Sequence, residues 1–415
     1  MPPAAEPDQG REALARLVRD EWPRVLASLI RTTGSLQLAE DALQDVVVRA
    51  LDVWSRDGVP PEPRAWLTLA ARRRAIDLLR RESRRPDKEV ASFEDRGPVD
   101  APMADDRERR DDLLRLLFTC CHPALPTEAQ TALALRTLCG LTTAEVASAL
   151  LVNEATMAKR LVRAKRKIAV AHIPYRTPSV DEIPQRIRGV LTTIYLLFNE
   201  GYHATSGESP LRRQLTSEAI RLVGLVRELL PDQVPVAGLE ALLRLHNARM
   251  PARLDAHGDV VRLADQDRGL WDQAEIGAGL SLLGMAFRHV TDRPDAYVVQ
   301  AAIAACHDLA TTWDETNWAA IVSWYNVLVA VNDTPIVRLN RAVAIGELRG
   351  PDAGLAELDR IEELSCYLPC VAARAELLAR SGRPDEARVA FDRAIELPGN
   401  EAAKRELARR RAELG

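Results

Sequence analysis

Gly140-Leu-Thr-Thr-Ala-Glu-Val-Ala-Ser-Ala-Leu-Leu-Val-Asn-Glu-Ala-Thr-Met-Ala-Lys-Arg-Leu-Val-Arg-Ala-Lys-Arg-Lys167 is the stretch that decides the fold. Thr142 and Glu145 have the spacing of a capping box, which satisfies free backbone donors at a helix start. A short helix over Thr143 to Leu150 follows. Leu151-Val152-Asn153 then makes a turn, with Asn153 placed to cap the next helix, Glu154 to Val170. Upstream, Pro126 to Leu138 reads as a helix stopped by Gly140. Val146, Ala149, Leu150, Met157, Leu161 and Ile168 fall where crossing helices would hold one another. The pattern is a helix-turn-helix.

A helix that enters the DNA major groove needs small or polar residues at its N-terminal end to meet base edges. It also needs basic residues beyond them to grip phosphates. Ala155, Thr156, Lys159 and Arg160 fit the first demand, and Arg163, Lys165, Arg166 and Lys167 the second. No acid follows Glu154 within this helix. A charge run alone usually marks a solvated face, but here the capped frame and the charge agree.

Toward the N-terminus, residues 11–85 form an earlier helical block. An amphipathic helix covers Trp22 to Arg31 and closes at Gly34. Leu38 to Trp54 carries Leu43, Val46, Val47, Ala50 and Leu51 at helical spacing, with Glu40, Asp41, Gln44, Asp45 and Arg49 on the other face. After a Pro-rich loop, Arg64 to Glu82 combines an apolar stripe of Trp66, Leu69, Ala70, Ile76 and Leu79 with Arg72, Arg73, Arg74, Arg80 and Arg81. Arg84 and Arg85 extend this basic run. Residues 86–109 are charged, contain Pro86, Gly97, Pro98 and Pro102, and read as a flexible linker. The second block spans residues 110–170.

The whole chain sets the limits on these blocks. Its 415 residues suit two or three domains. Ala, Leu and Arg dominate, aromatics are only 4%, and strand-type alternation is scarce, so the expected class is all-α. Net charge is -4, so any nucleic-acid binding must come from local clusters. The six cysteines read as reduced thiols. Cys120-Cys121-His122 and Cys366-x3-Cys370 lack the paired spacing of structural zinc, so neither metal nor cofactor is expected. Met1 to Gly10 does not read as a secretory signal, and no apolar run approaches the ~20 residues of a membrane span. The expected setting is the cytoplasm, without membrane contact.

Ala39-Glu-Asp-Ala-Leu-Gln-Asp45, followed by Pro63-Arg-Ala-Trp-Leu-Thr-Leu-Ala-Ala-Arg-Arg-Arg-Ala-Ile-Asp-Leu-Leu-Arg-Arg81, resembles region 2 of extracytoplasmic-function (ECF) RNA polymerase sigma factors. Leu125-Pro126, Leu133 to Arg136, Gly140 to Ala147 and Asn153 to Arg166 resemble region 4. The resemblance covers residues 11 to about 170. It implies a factor that binds core polymerase and directs promoter-specific initiation at -10 and -35 elements, without catalysing a reaction. By position, Asp41, Gln44, Asp45 and Arg49 would dock on the β′ clamp helices, and the β flap would be a further polymerase contact. The loop Ser55 to Pro63 would help capture a flipped -10 base. Arg64, Trp66, Arg72, Arg73, Arg74, Arg80 and Arg81 would face the -10 element. Ala155, Thr156, Lys159, Arg160, Arg163, Lys165, Arg166 and Lys167 would meet the -35 element. Ala155, Ala158-Lys159 and Arg74 depart from residues common in relatives, so base preference does not carry over.

Residues 186–415 read as a helical extension. Gly354, Leu358 and Ile361 recur 33 residues later as Ala387, Phe391 and Ala394, near the roughly 34-residue period of tetratricopeptide (TPR) repeats. The whole chain resembles the ECF subgroup with a long TPR-like C-terminal extension, which implies regulation through that domain. The subgroup is associated with small YCII-related proteins, which enter as candidate partners. Leu197 to Tyr202 and Asp265 to Asp272 are dense in polar groups beside aromatics. Asn199, Glu200, His203, Asp265, Asp267, Arg268 and Asp272 are of acid–base type, but no nucleophile or phosphate loop accompanies them. They read better as buried networks tying helices together. The rival reading is a helix-turn-helix regulator with a repeat-type sensor that never binds polymerase. The Ala39 to Asp45 motif argues against it, because a plain regulator does not need that surface.

Overall fold

The computed structural model describes residues 7–83, 106–150, 152–204, 211–397 and 401–414. Regular structure among them is helical, apart from one isolated bridge between Leu254 and Val260. The all-α expectation holds. The chain divides into two compact units, Met1–Thr193 and Ile194–Gly415. Both N-terminal blocks therefore fall within the first unit. The expected linker lies outside the described residues as far as residue 105, as do Arg84 and Arg85. Its last four residues are helical, which corrects the linker boundary: Asp106 opens a helix that continues into an apolar stripe at Leu113, Leu114, Leu116 and Leu117.

In the first unit, α1 (Pro7–Thr33), α2 (Leu36–Asp57) and α3 (Pro63–Ser83) pack against one another. α1 is longer than its clearest periodic segment because Leu14, Leu17 and Val18 extend the buried stripe onto Trp54 and Trp66. The α1–α2 corner turns at Gly34, whose φ of 66° suits a residue without Cβ. Ser35 then caps α2, its hydroxyl accepting from the Leu38 N–H at 3.3 Å. Leu36, Ala39, Leu43, Val46, Ala50 and Trp54 supply the buried face of α2.

α4 (Asp106–Cys120) and α5 (Thr127–Leu138) also pack on α1. α6 (Thr143–Ala149) and α7 (Glu154–Val170) complete the helix-turn-helix. Both halves of the expected capping box form. The Thr142 N–H donates to Glu145 Oε2 at 2.7 Å, and the Glu145 N–H donates to Thr142 Oγ1 at 3.2 Å. Asn153 Oδ1 accepts from the Thr156 N–H at 2.8 Å. Met157, Leu161, Ala164 and Ile168 are the buried stripe of α7. α8 (Ile183–Tyr202) begins in the first unit and ends in the second.

The second unit continues with α9 (Arg213–Leu229), α10 (Val234–Ala248), α11 (Gln273–Arg288), α12 (Ala296–Asp308) and α13 (Trp318–Val331). It closes with α14 (Pro335–Arg349), α15 (Pro351–Leu358), α16 (Leu368–Arg380), α17 (Pro384–Glu396) and α18 (Glu401–Ala412). Packing runs mainly between sequence neighbours, as in repeat proteins. Leu358, Ile361, Ala387, Phe391 and Ala394, the repeat positions read from the sequence, share one core. Gly354 belongs to the same scheme for a different reason. A Cβ there would stand 2.9 Å from the Gly346 Cα, so two glycines let α14 and α15 approach.

Candidate promoter and polymerase interface

α7 presents Ala155, Thr156, Lys159, Arg163, Arg166 and Lys167 to solvent. Two members of the expected DNA-facing set are placed differently. The Arg160 guanidinium lies 3.9 Å from Glu128 and is about a quarter exposed. The Lys165 side chain is 20% exposed, and its ammonium forms an ion pair with Glu40 of α2, whose side chain is 4% exposed. Lys165 therefore spends its charge inside the unit. Glu40 Oε2 has no aligned hydrogen-bond donor, so this contact is an ion pair rather than a hydrogen bond.

The same seam between the two N-terminal blocks carries three further contacts. Arg31 of α1 reaches Asp112 of α4 at 3.0 Å. The Arg136 guanidinium sits over the Trp22 ring, 5.7 Å from its centroid. The Tyr175 hydroxyl lies 3.0 Å from the Ala27 carbonyl oxygen and 2.8 Å from that of Asp112, and shares its one proton between them. Burial raises the Tyr175 phenol well above its usual range, so it stays protonated to donate.

On α3 the expected -10 residues separate into three kinds. Arg73, Arg80 and Arg81 are exposed. Arg64 is paired with Glu21 at 2.9 Å, and Arg74 with Asp45. Arg72 is half-buried, with its Nε lacking a partner. Trp66 is half-buried against Trp54, edge to face with ring centroids 5.6 Å apart, and so contributes to the core. In the loop before α3, Gly58 has a φ of 85° and returns its N–H to the Trp54 carbonyl at 3.2 Å.

The expected docking face on α2 is largely open. Gln44, Asp45 and Arg49 are exposed, and the half-buried Asp41 accepts from Gln37 Nε2 at 2.9 Å. The Asp45–Arg74 pair joins a residue expected to meet polymerase to one expected to meet DNA. Sequence reasoning missed Val48, which is 66% exposed between them on the same face. In the sequence Val48 stands at helical spacing from Gln44, Asp45 and Asp52, on the polar face rather than in the apolar stripe, and an apolar residue there was the available signal.

The remaining polar groups singled out in the sequence have structural partners. Asp267 accepts from the Gly269 N–H, and Asp272 caps α11 through the Ala274 and Glu275 N–H groups. Asp265 pairs with Arg262, and the buried Glu200 lies 4.0 Å from Arg212. Asn199 gives its carbonyl to the His203 N–H. Cys120 and Cys121 are buried, with thiols 3.2 Å from Thr137 Oγ1 and 3.6 Å from Thr193 Oγ1. Burial pushes the Cys121 thiol up to about 12, which keeps it out of the thiolate form that binds metals. Among the described residues no group of three metal-ligating side chains comes together, and no helix is long and apolar enough to cross a membrane.

Comparison with known proteins gives this arrangement its family. Residues 17–85 match sigma-70 region 2, and residues 115–168 match sigma-70, region 4. Residues 186–287 match a family of unknown function, DUF6596. The two N-terminal modules define a sigma-70-type transcription initiation factor, a class that recognises promoters and carries no enzymatic activity of its own. The chain is 44% identical over 383 residues to the uncharacterized protein R00370 of Rhizobium meliloti (strain 1021), spanning 91% of this chain and 90% of that protein. It belongs to the ECF-like sigma factors with a C-terminal extension. No solved structure matches it.

Proposed function

We propose that the chain docks on core RNA polymerase through the open face of α2, lays α3 on the -10 element and reads the -35 element with α7. Residues 11–85 then act as region 2, residues 110–170 as region 4, and residues 186–415 as the module that modulates initiation. The observation that carries this reading is the outer face of α7. Its capped N-terminal end offers Ala155, Thr156 and Lys159, and Arg163, Arg166 and Lys167 lie exposed behind them. That is the order in which base edges and phosphates are met by a groove-reading helix.

Support on the polymerase side comes from Val48. It is apolar and exposed, with Gln44, Asp45, Arg49 and Asp52 around it, which matches an interface with an apolar centre and a polar rim. Val48→Asp tests this without touching the core, because the side chain is already in solvent. The variant should keep the wild-type melting temperature while losing capture by core polymerase and run-off transcription. Normal capture and transcription by Val48→Asp would remove α2 as the docking face.

A further inference from the structure

The second unit contains a buried guanidinium with no matching acid. Arg253 is 6% exposed, and among the described residues no carboxylate lies within ion-pair distance of it. It is held instead by aromatic faces. Its Cζ lies 3.9 Å from the centroid of the Tyr202 ring, and one terminal nitrogen lies 3.3 Å from the ring nitrogens of His203. Its Nε is buried without a partner.

Neighbouring cations show what a satisfied arginine looks like in this fold. Arg249, 3% exposed, meets Asp308 at 2.6 Å and the Ala304 carbonyl at 2.8 Å. Arg268 donates to the His307 and Ala310 carbonyls, both at 2.8 Å, and closes the end of α12. In the groove of about 710 Å³ beside α15 and α17, Arg374 pairs with Asp359 and Arg383 with Glu386. Arg253 alone in this comparison has neither a carboxylate nor a carbonyl partner for its guanidinium among the described residues. Burying an unpaired charge costs several kcal/mol, far more than stacking on one tyrosine returns.

Beside the Tyr202 ring, His246 Nδ1 is buried and unpartnered. Desolvation, then Arg249 and Arg253, hold the His246 imidazole well below its usual range, so it is neutral and adds no competing charge. His203 is exposed, so this edge of the cluster is open to solvent.

We propose that Arg253, stacked on Tyr202 beside His203, is the receiving group of a binding site for a small oxyanion, the carboxylate or phosphate of a soluble effector. The guanidinium fork offers two parallel donors to such a group, and the rings hold it flat for that contact. The site belongs to the second unit and is measurable without polymerase or DNA. Its failure would therefore leave the transcription reading untouched.

The test is thermal unfolding of the full chain in sodium phosphate, sodium acetate and sodium chloride at one ionic strength. A ligand that binds only the folded state raises the midpoint with concentration, by several degrees at about 100 times its Kd. Phosphate or acetate should do so where chloride does not, and whichever acts names the chemical class. Arg253→Met should abolish the shift. Arg253→Lys, which keeps the charge and loses the fork, should weaken apparent affinity by about 10-fold. Equal midpoints of the wild-type chain in all three salts would overturn the proposal, even if the methionine variant did not fold. A shift that survived in Arg253→Met would overturn it as well.

Discussion

Lys165 cannot hold a DNA phosphate and Glu40 at the same time, and this makes Glu40→Gln an informative perturbation. The Glu40 side chain is 4% exposed and the Lys165 side chain 20%. Removing one partner of a buried pair typically costs ~3–5 kcal/mol. Glutamine keeps the shape and leaves an amide oxygen near Lys165, so about 2 kcal/mol is the expected loss for the contact between α2 and α7. In the wild-type chain that energy opposes release of Lys165 to DNA. A state disfavoured by 2 kcal/mol is about 30-fold less populated, so Glu40→Gln should tighten duplex binding by up to about 30-fold. The assay is fluorescence anisotropy with a labelled duplex at several salt concentrations, beside a melting curve. Lys165→Met supplies the control. If Lys165 reaches a phosphate, this variant lowers the slope of log K against log salt by about 1. A lower melting temperature in Glu40→Gln with no gain in affinity, together with an unchanged slope in Lys165→Met, would refute the reasoning. Lys165 would then be a structural lysine, not one of the -35 contacts.

Three other substitutions or conditions probe separate parts of the fold. Asn153→Ala removes the cap of α7 and should cost ~1 kcal/mol and weaken duplex binding, both read by the same melting and anisotropy measurements. Gly354→Ala places a Cβ against the Gly346 backbone and should cost about 1–3 kcal/mol by overpacking, seen as a lower denaturant midpoint with an unchanged m-value. The His307 ring, 8% exposed, is pushed down to about 3 by burial and by Arg249 and Arg268, against an ordinary 6.5. Below about pH 6.5 the unfolded chain takes a proton that the folded one refuses, so stability should fall as pH drops, by ~1.4 kcal/mol per unit for this histidine. Asp308 is raised by burial and acts in the opposite sense, while His203 and His246 are lowered by burial and add to the same fall, so the His307 share below pH 6.5 is the difference between wild type and His307→Gln. A flat stability profile there, or one unchanged in His307→Gln, would count against it.

The helical frame was legible because each of its signals is local. Thr142, Glu145 and Asn153 cap helices within four residues of themselves, and the caps form as the spacing requires. Gly34 and Gly140 stop helices through their own positive φ. The repeat at Gly354 and Ala387 was visible because similar pieces must bury similar faces. α1 was read short because its early stripe, Leu14, Leu17 and Val18, needs Trp54 and Trp66 to be recognised as buried. That partnership spans some forty residues of sequence, and no window of helical length contains it.

The candidate sites were legible as lists of charges but not as pairings. Arg64, Arg74, Arg160 and Lys165 stand in the sequence beside Arg73, Arg163 and Arg166, with nothing local to set them apart. In the fold the first four meet Glu21, Asp45, Glu128 and Glu40, at sequence separations that only tertiary packing sets. Binding an anion draws on charge that folding has not already matched, so the exposed three are the stronger candidates for contact with DNA. The same rule applies in reverse to Arg253. In the sequence it is one arginine among many in an acidic protein. It becomes conspicuous only when its burial is known and its contacts prove to be Tyr202 and His203, with no described carboxylate in ion-pair reach.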